Sequence, residues 1–136
     1  MNGIENLNEL LKSLEPELHT EEFVFCTFPH ESLSDKMYLS PISSFQEKEG
    51  LTLIITKECA IANSIPFESV FSLISLTIHS SLDAVGLTAA IAGKLASKNI
   101  SANVVAAYYH DHIFVQKEKA KEAIKALKEL QQESMN

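Results

Sequence analysis

Glycine is scarce in this chain, and the four present (Gly3, Gly50, Gly86, Gly93) are too scattered to assemble a phosphate-cradling loop. Gly-x-Ser-x-Gly is absent, and neither of the two cysteines, Cys26 and Cys59, has a recognisable histidine partner. Nucleophilic catalysis is therefore not expected, and the chain reads as a non-enzyme. No window approaches the roughly eighteen consecutive apolar residues that a membrane span needs. The start, Met1-Asn2-Gly3-Ile4-Glu5, lacks the basic and apolar regions of a secretory signal. Positive charge is short as well: 11 Lys+Arg face 18 Asp+Glu, and the net charge of -7 disfavours nucleic acid, whose phosphates demand a basic face. These absences predict a cytoplasmic protein with both thiols reduced and buried.

What is present is ordinary globular material. Hydrophobic residues make up 46% and charged residues 21%, enough to bury a core in one domain or in two half-size units. Ile4, Leu7, Leu10, Leu11 and Leu14 recur at helical spacing before Pro16. Phe23 to Phe28 reads as a buried strand ended by Pro29, followed by a polar loop over 29–40. His19 and His30 fall in polar stretches read as loops. Pro41–Glu47 and Leu51–Thr56 read as a hairpin joined at Glu47-Lys48-Glu49-Gly50, with a short helix over Glu58–Ser64. Val70 to His79 is the next strand, and residues 82–98 form a helix with Leu87, Ile91 and Leu95 on one stripe. Its small residues Ala89, Ala90, Ala92, Gly93 and Ala96 are expected to let it approach a sheet closely. Asn99 is placed to end it in a left-handed conformation. Ile100–Tyr108 and His112–Val115 read as a hairpin turning at His110-Asp111. Lys117–Gln131 closes the chain as an amphipathic helix, its Lys125 and Glu129 at i,i+4 reading as a solvated face.

The second half thus runs β-α-β-β-α and the first roughly α-β-β-β-α. The nearest recurring unit is the ferredoxin-like β-α-β-β-α-β motif, an α/β (α+β) fold with mainly antiparallel strands. Each half lacks one strand of it, which strands shared between the halves or between two chains would supply. The division predicted is 1–65 and 66–136.

The β-α-β-β order brings two polar clusters to one end of the sheet. A right-handed crossover sets the exit of strand 70–79 beside the tip of the second hairpin. Ser80, Ser81, Leu82, Asp83, Ala84, Val85, Gly86 and Leu87 are then expected near Tyr108, Tyr109, His110, Asp111 and His112. A helix start offers free N–H groups and the positive end of a dipole to a carboxylate, while Asp83 suits an ammonium. Those features fit a zwitterionic amino acid. Ser81 and Asp83 are equally ordinary helix caps, a role worth about 1 kcal/mol. Gly86 serves close approach or helix packing, and the tyrosines suit a dimer contact. His110-x-His112 with His79 raises a metal site, which a solvated hairpin explains better. No cofactor is implied.

The blocks His79-Ser80-Ser81-Leu82-Asp83-Ala84-Val85-Gly86-Leu87-Thr88-Ala89-Ala90 and Ile100 through Val115 strongly resemble short bacterial ACT-domain proteins. Leu14-Glu15-Pro16-Glu17-Leu18, Phe25-Cys26-Thr27-Phe28-Pro29 and Glu49-Gly50-Leu51-Thr52-Leu53 resemble the same family, which is grouped with the ACT regions of aspartate kinase and the CASTOR arginine sensors. The resemblance implies two ACT-like units, often associated side by side, that bind an amino acid and regulate a partner protein. A homodimer is the expected state, because apolar sheets leave edges that need covering.

Overall fold

The computed structural model describes residues 6–77 and 85–135. Eleven regular helices and strands are assigned among them. Helix α1 (Leu7–Lys12) is capped by the Asn6 side chain, which accepts from Glu9 N at 3.1 Å. Strand β1 (Pro16–Phe28) follows, then a one-turn helix α2 (Leu33–Lys36) running into a 3₁₀ turn at Met37–Leu39. Strands β2 (Ser43–Glu47) and β3 (Gly50–Thr56) form a hairpin, and Thr56 caps helix α3 (Lys57–Ala62). The remainder is β4 (Phe71–Leu76), α4 (Leu87–Ser97), β5 (Asn103–Ala106), β6 (Asp111–Gln116) and, after a 3₁₀ turn, α5 (Ala120–Glu133).

The chain divides into two compact units, and β1 contributes to both. The split unit joins Met1–Thr20 with Ser72–Asn136; the continuous unit is Glu21–Phe71. Strand order is β1-β4-β6-β5 in the split unit and β2-β3-β1 in the continuous one. The pairings β1/β3, β2/β3 and β5/β6 are antiparallel. The first part of β1 gives the split unit the fourth strand that the second half of the sequence lacked.

In the split unit α1, α4 and α5 pack over one face of the sheet. Leu87, Ile91 and Leu95 of α4 meet Ile74, Leu76, Ile113 and Val115 of the sheet, together with Leu10 and Leu14 near α1 and Leu127 of α5. Each such side chain contributes about 1.5–3 kcal/mol by leaving water. Ala89, Gly93 and Ala96 lie on the exposed side of α4 instead, so the helix approaches its neighbours through its leucines and isoleucine. In α5 the expected stripe is kept: Ala120 and Leu127 are buried, and Ile124 and Leu130 pack against the same core. Glu129 turns to Lys94 at 3.3 Å and Lys98 at 3.4 Å, across to α4. The continuous unit has its own core of Val24, Cys26, Leu39, Leu51, Leu53, Ile55 and Ala60, with Cys59 packed at its border. Both cysteines are free thiols; Cys26 is buried and Cys59 only half-buried. Burial pushes the Cys26 thiol up, and the neighbouring Cys59 adds to it.

Two helices end in the same way. Asn99 adopts φ 60°, as its position after Lys98 predicts, and Ile100 N donates to Leu95 O at 2.9 Å while Asn99 N donates to Ala96 O. After α3, Ser64 adopts φ 53° and Ile65 N donates to Ala60 O at 2.9 Å. These are Schellman closures, which satisfy carbonyls that a helix end otherwise leaves unpaired.

Strand β1, the 29–40 stretch, α4 and the second hairpin differ from expectation. Strand β1 begins at Pro16, ahead of the apolar run at Phe23, so His19 is a strand residue and not a loop residue. The stretch 29–40 contains α2 and a 3₁₀ turn. Helix α4 starts at Leu87, so Val85 and Gly86 of the expected 82–98 helix precede it, and 82–84 lie outside the described residues. The β5/β6 hairpin turns at Tyr108-Tyr109 rather than His110-Asp111: Ala106 pairs with Asp111, and Ala107 N donates to His110 O at 3.1 Å.

Candidate functional site

Ser75, near the end of β4, is buried, and its hydroxyl bridges two histidines. The Oγ atom lies 2.8 Å from His19 Nε2 on β1 and 2.7 Å from His112 Nδ1 on β6. Three neighbouring strands of the split unit are thereby joined through one oxygen. The contact also sets the beginning of β6 beside the end of β4. Thr77, just past that end, donates its hydroxyl to Glu15 O at 3.1 Å. The Tyr108-Tyr109 tip consequently lies at the end of the unit where the chain leaves β4 for α4.

A row of rings runs from that tip into the sheet. Tyr108 and Tyr109 meet edge-to-face with centroids 5.0 Å apart, and both are largely exposed. Tyr109 and His110 are 6.5 Å apart, and His110 and His112 a further 6.5 Å, at 85° to one another. His112 then hands on to Ser75 and His19. Burial holds His112 below the ordinary imidazole range; the charges of His110 and His19 push the same way, and Asp111 opposes them. Asp111, buried beside them at the start of β6, is pushed above the ordinary carboxylate range by desolvation, with His112 and His110 pulling it back.

A hydroxyl between two ring nitrogens imposes a rule. Ser75 has one hydrogen to give, so with neutral imidazoles at least one ring must donate to Oγ and the two cannot both accept from it. The two tautomers are coupled. Among the described residues no group of three or more His, Cys, Asp or Glu is arranged to hold a metal ion, and the His110 and His112 rings meet edge-on.

The start of α4 differs from expectation. Its N-cap is Gly86, at φ 92°, with no side-chain cap hydrogen bond, so the free amides belong to the turn beginning at Leu87. A Cβ at Gly86 would come within 3.2 Å of Leu7 Cδ2, so the missing side chain makes room for α1. Val85 is 82% exposed and Leu87 is buried. Ser80, Ser81, Leu82, Asp83 and Ala84, with His79, lie outside the described residues. Of the predicted site, the structure brings together Tyr108, Tyr109, His110 and His112 in the ring row, with Asp111 next to them. His19 and Ser75 were missed: Glu17-Leu18-His19-Thr20-Glu21 reads as a polar loop, and Ser75 reads as a gap in an apolar run. The alternation of Leu18 and Thr20 with Glu17, His19 and Glu21 was the one available signal.

Family models described as ACT domains match residues 2–72 and 68–129. The chain belongs to the ACT-domain family. It carries two such domains in tandem, an arrangement typical of regulatory ligand-binding modules rather than catalytic ones. It is 54% identical to a Vibrio cholerae protein of unknown function, described as a possible transport protein, over 96% of this chain and 99% of that one, with a TM-score of 0.84. The ACT fold recurs at far lower identity. The regulatory subunit of aspartate kinase from Thermus flavus superposes with a TM-score of 0.60 at 11% identity, over 85% of this chain and 95% of that one. Escherichia coli aspartokinase III, solved with aspartate and ADP, gives 0.63 at 12% over 85% of this chain and 32% of its own length. None of the curated proteins matches the sequence significantly.

The continuous unit contains a separate cleft of about 470 Å³. Phe25, Cys26 and Thr27 of β1 line one side of it and Pro66 to Ser69 the other. No sequence motif marks it. No helix among the described residues is long and apolar enough to cross a membrane.

Proposed function

We propose that this chain is a regulatory ACT-domain protein that binds an amino acid or similar small zwitterion and acts on a partner protein. The binding end is that of the split unit, where α4 starts and the β5/β6 hairpin turns. The observation carrying this reading is α4 beginning on Gly86 without a side-chain cap, at the end of the unit to which the Ser75–His112 contact anchors the hairpin. Free amides at a helix start favour a carboxylate. Asp83 is the proposed partner for the ammonium, with Ser80, Ser81, Leu82 and Ala84 as further proposed contacts. A relative of the same fold, aspartokinase III, was solved with aspartate. We read the two halves in sequence as 1–65 and 66–136, the protein as cytoplasmic, and its working state as a homodimer.

Thermal-shift and calorimetric screening against the twenty amino acids tests the proposal. An amino acid at a hundred times its dissociation constant should add about 2.7 kcal/mol of stability. No shift with any of them at millimolar concentration would sink the reading.

A second reading has its own observation. Strand β2 is an edge strand whose Phe45 is 71% exposed, with Ile42 before it at 51%. An open edge with an apolar side chain suits strand pairing with another chain. On that reading the protein is an interaction module without a ligand, and Phe45→Lys would abolish its association while leaving amino-acid screening blank.

A further inference from the structure

The bridge His19–Ser75–His112 has the makings of a control element for the end of the unit just described. Each ring approaches the same oxygen, at 2.8 and 2.7 Å, from a different strand. With both imidazoles neutral, a directed chain of two hydrogen bonds can form: one ring donates, Ser75 relays, the other accepts. When the accepting ring takes up a proton both ring nitrogens become donors. Ser75 then accepts twice and must turn its own hydrogen away, while a positive charge is placed on the bridge. The joint between β1, β4 and β6 is weakened by that change, and His112 carries the row of rings that leads to the exposed tip.

Among the described residues, the charged neighbours are these. On β1, Glu17 and Glu21 flank His19 at the i±2 positions of its face. On β6, His110 and buried Asp111 adjoin His112. On β4, Leu73 and Thr77 flank Ser75, and on β5 the residue paired with His112 is Val105, so neither strand adds a titratable group there. The desolvation of His112, reinforced by His110 and His19, lowers its pKa and favours the neutral ring, so that its protonation on acidification can act as a signal.

We propose that Ser75 makes His19 and His112 a single proton-exchanging unit whose charge state sets the position of the Tyr108–Asp111 hairpin and thereby tunes ligand affinity at this end of the split unit. Only the last step rests on the ligand reading above. In this scheme His19 and Ser75 are positioning residues that act through His112.

The experiment is a ligand-free NMR titration of the full chain from pH 8 to pH 5. It follows the histidine ring Cε1–H signals and the backbone amides of Val85 to Leu87 and Tyr108 to His112. In the wild type the His19 and His112 signals are expected to share inflections, and the hairpin amides to move with them. In Ser75→Ala the shared inflection and the hairpin response should disappear, and Ser75→Thr, which keeps the hydroxyl, should restore both. Dispersed amide spectra of both variants at pH 8 establish that they fold. His19→Asn provides a second route to the same loss without altering β4. Independent His19 and His112 titrations that are unchanged in Ser75→Ala, or hairpin amides that ignore pH, would overturn the proposal. L-aspartate titrated into the wild type at pH 7.5 and pH 6.0 tests the last step. A change of affinity of threefold or more that Ser75→Ala abolishes supports it, and equal affinities overturn it. Absence of L-aspartate binding counts against that last step and leaves the ring titration to judge the relay, so the two failures are distinguishable.

Discussion

The Ser75 hydroxyl and the His112 ring, 2.7 Å apart, join the end of β4 to the start of β6 at the place where the sheet meets its loops. The relationship gives stability a pH dependence whose sign follows from His112. Burial depresses its folded-state pKa below the ordinary 6.5, so between those two values the unfolded chain binds the extra proton. Stability is full above about 6.5 and is lost as pH falls through the folded value. Melting temperatures by circular dichroism should decline between pH 7 and pH 5 in the wild type and decline less in His112→Gln. Asp111 works in the opposite sense: its raised pKa favours the protonated carboxyl, so its contribution grows as pH falls toward its ordinary 3.8. Asp111→Asn should therefore steepen the net acid loss.

Gly50 offers a sharper test of local packing. It opens β3 at φ 152°, and a Cβ there would stand 3.0 Å from Pro29 Cα and 3.1 Å from Phe28 O. Both neighbours are backbone and neither can rotate away. Gly50→Ala should cost about 1–3 kcal/mol, the range for overpacking, read as a lowered midpoint in urea unfolding.

The Schellman closures give a paired prediction of opposite signs. Asn99 and Ser64 both hold left-handed conformations that carry a penalty of about 1–2 kcal/mol for a residue with a Cβ. Ser64→Gly should stabilise the continuous unit by several tenths of a kcal/mol or more. Asn99→Ala should destabilise the split unit by about 1 kcal/mol, and Asn99→Gly should not. Chemical denaturation of the three variants decides it.

Leu127 of α5 is fully buried in the core of the split unit. Leu127→Ala should cost about 2–5 kcal/mol, whereas Leu18→Ala, at a side chain 41% exposed, should cost far less. The comparison is readable from denaturant midpoints of the two variants.

Where the sequence was readable, the signal was local. The α4 stripe of Leu87, Ile91 and Leu95 announced its buried face by spacing alone, and Asn99 announced the helix end. The first residues of β1 gave only a weak alternation. Glu17-Leu18-His19-Thr20-Glu21 is polar, and its strand form is held by partners far along the chain, Ser75 against His19 and Thr77 against Glu15. The hairpin tip was misplaced for a related reason. Tyr108 and Tyr109 are strand formers, and neither takes the left-handed φ that usually marks a two-residue turn with Gly or Asn. Of the candidate site, the polar residues Tyr108 to His112 could be picked out because they interrupt an apolar stretch. His19 and Ser75 could not, since their meaning lies in a contact between three strands.

On the proposed function, the end of the split unit formed by the α4 start and the β5/β6 hairpin receives an amino acid. The most direct test is an amide chemical-shift map of the labelled protein against each of the twenty amino acids at millimolar concentration. At least one amino acid should shift Val85, Gly86, Leu87 and Tyr108 to His112 together, in a saturable manner. No saturable shift with any of them, or shifts confined to the Phe25–Thr27 and Pro66–Ser69 cleft, would contradict the account.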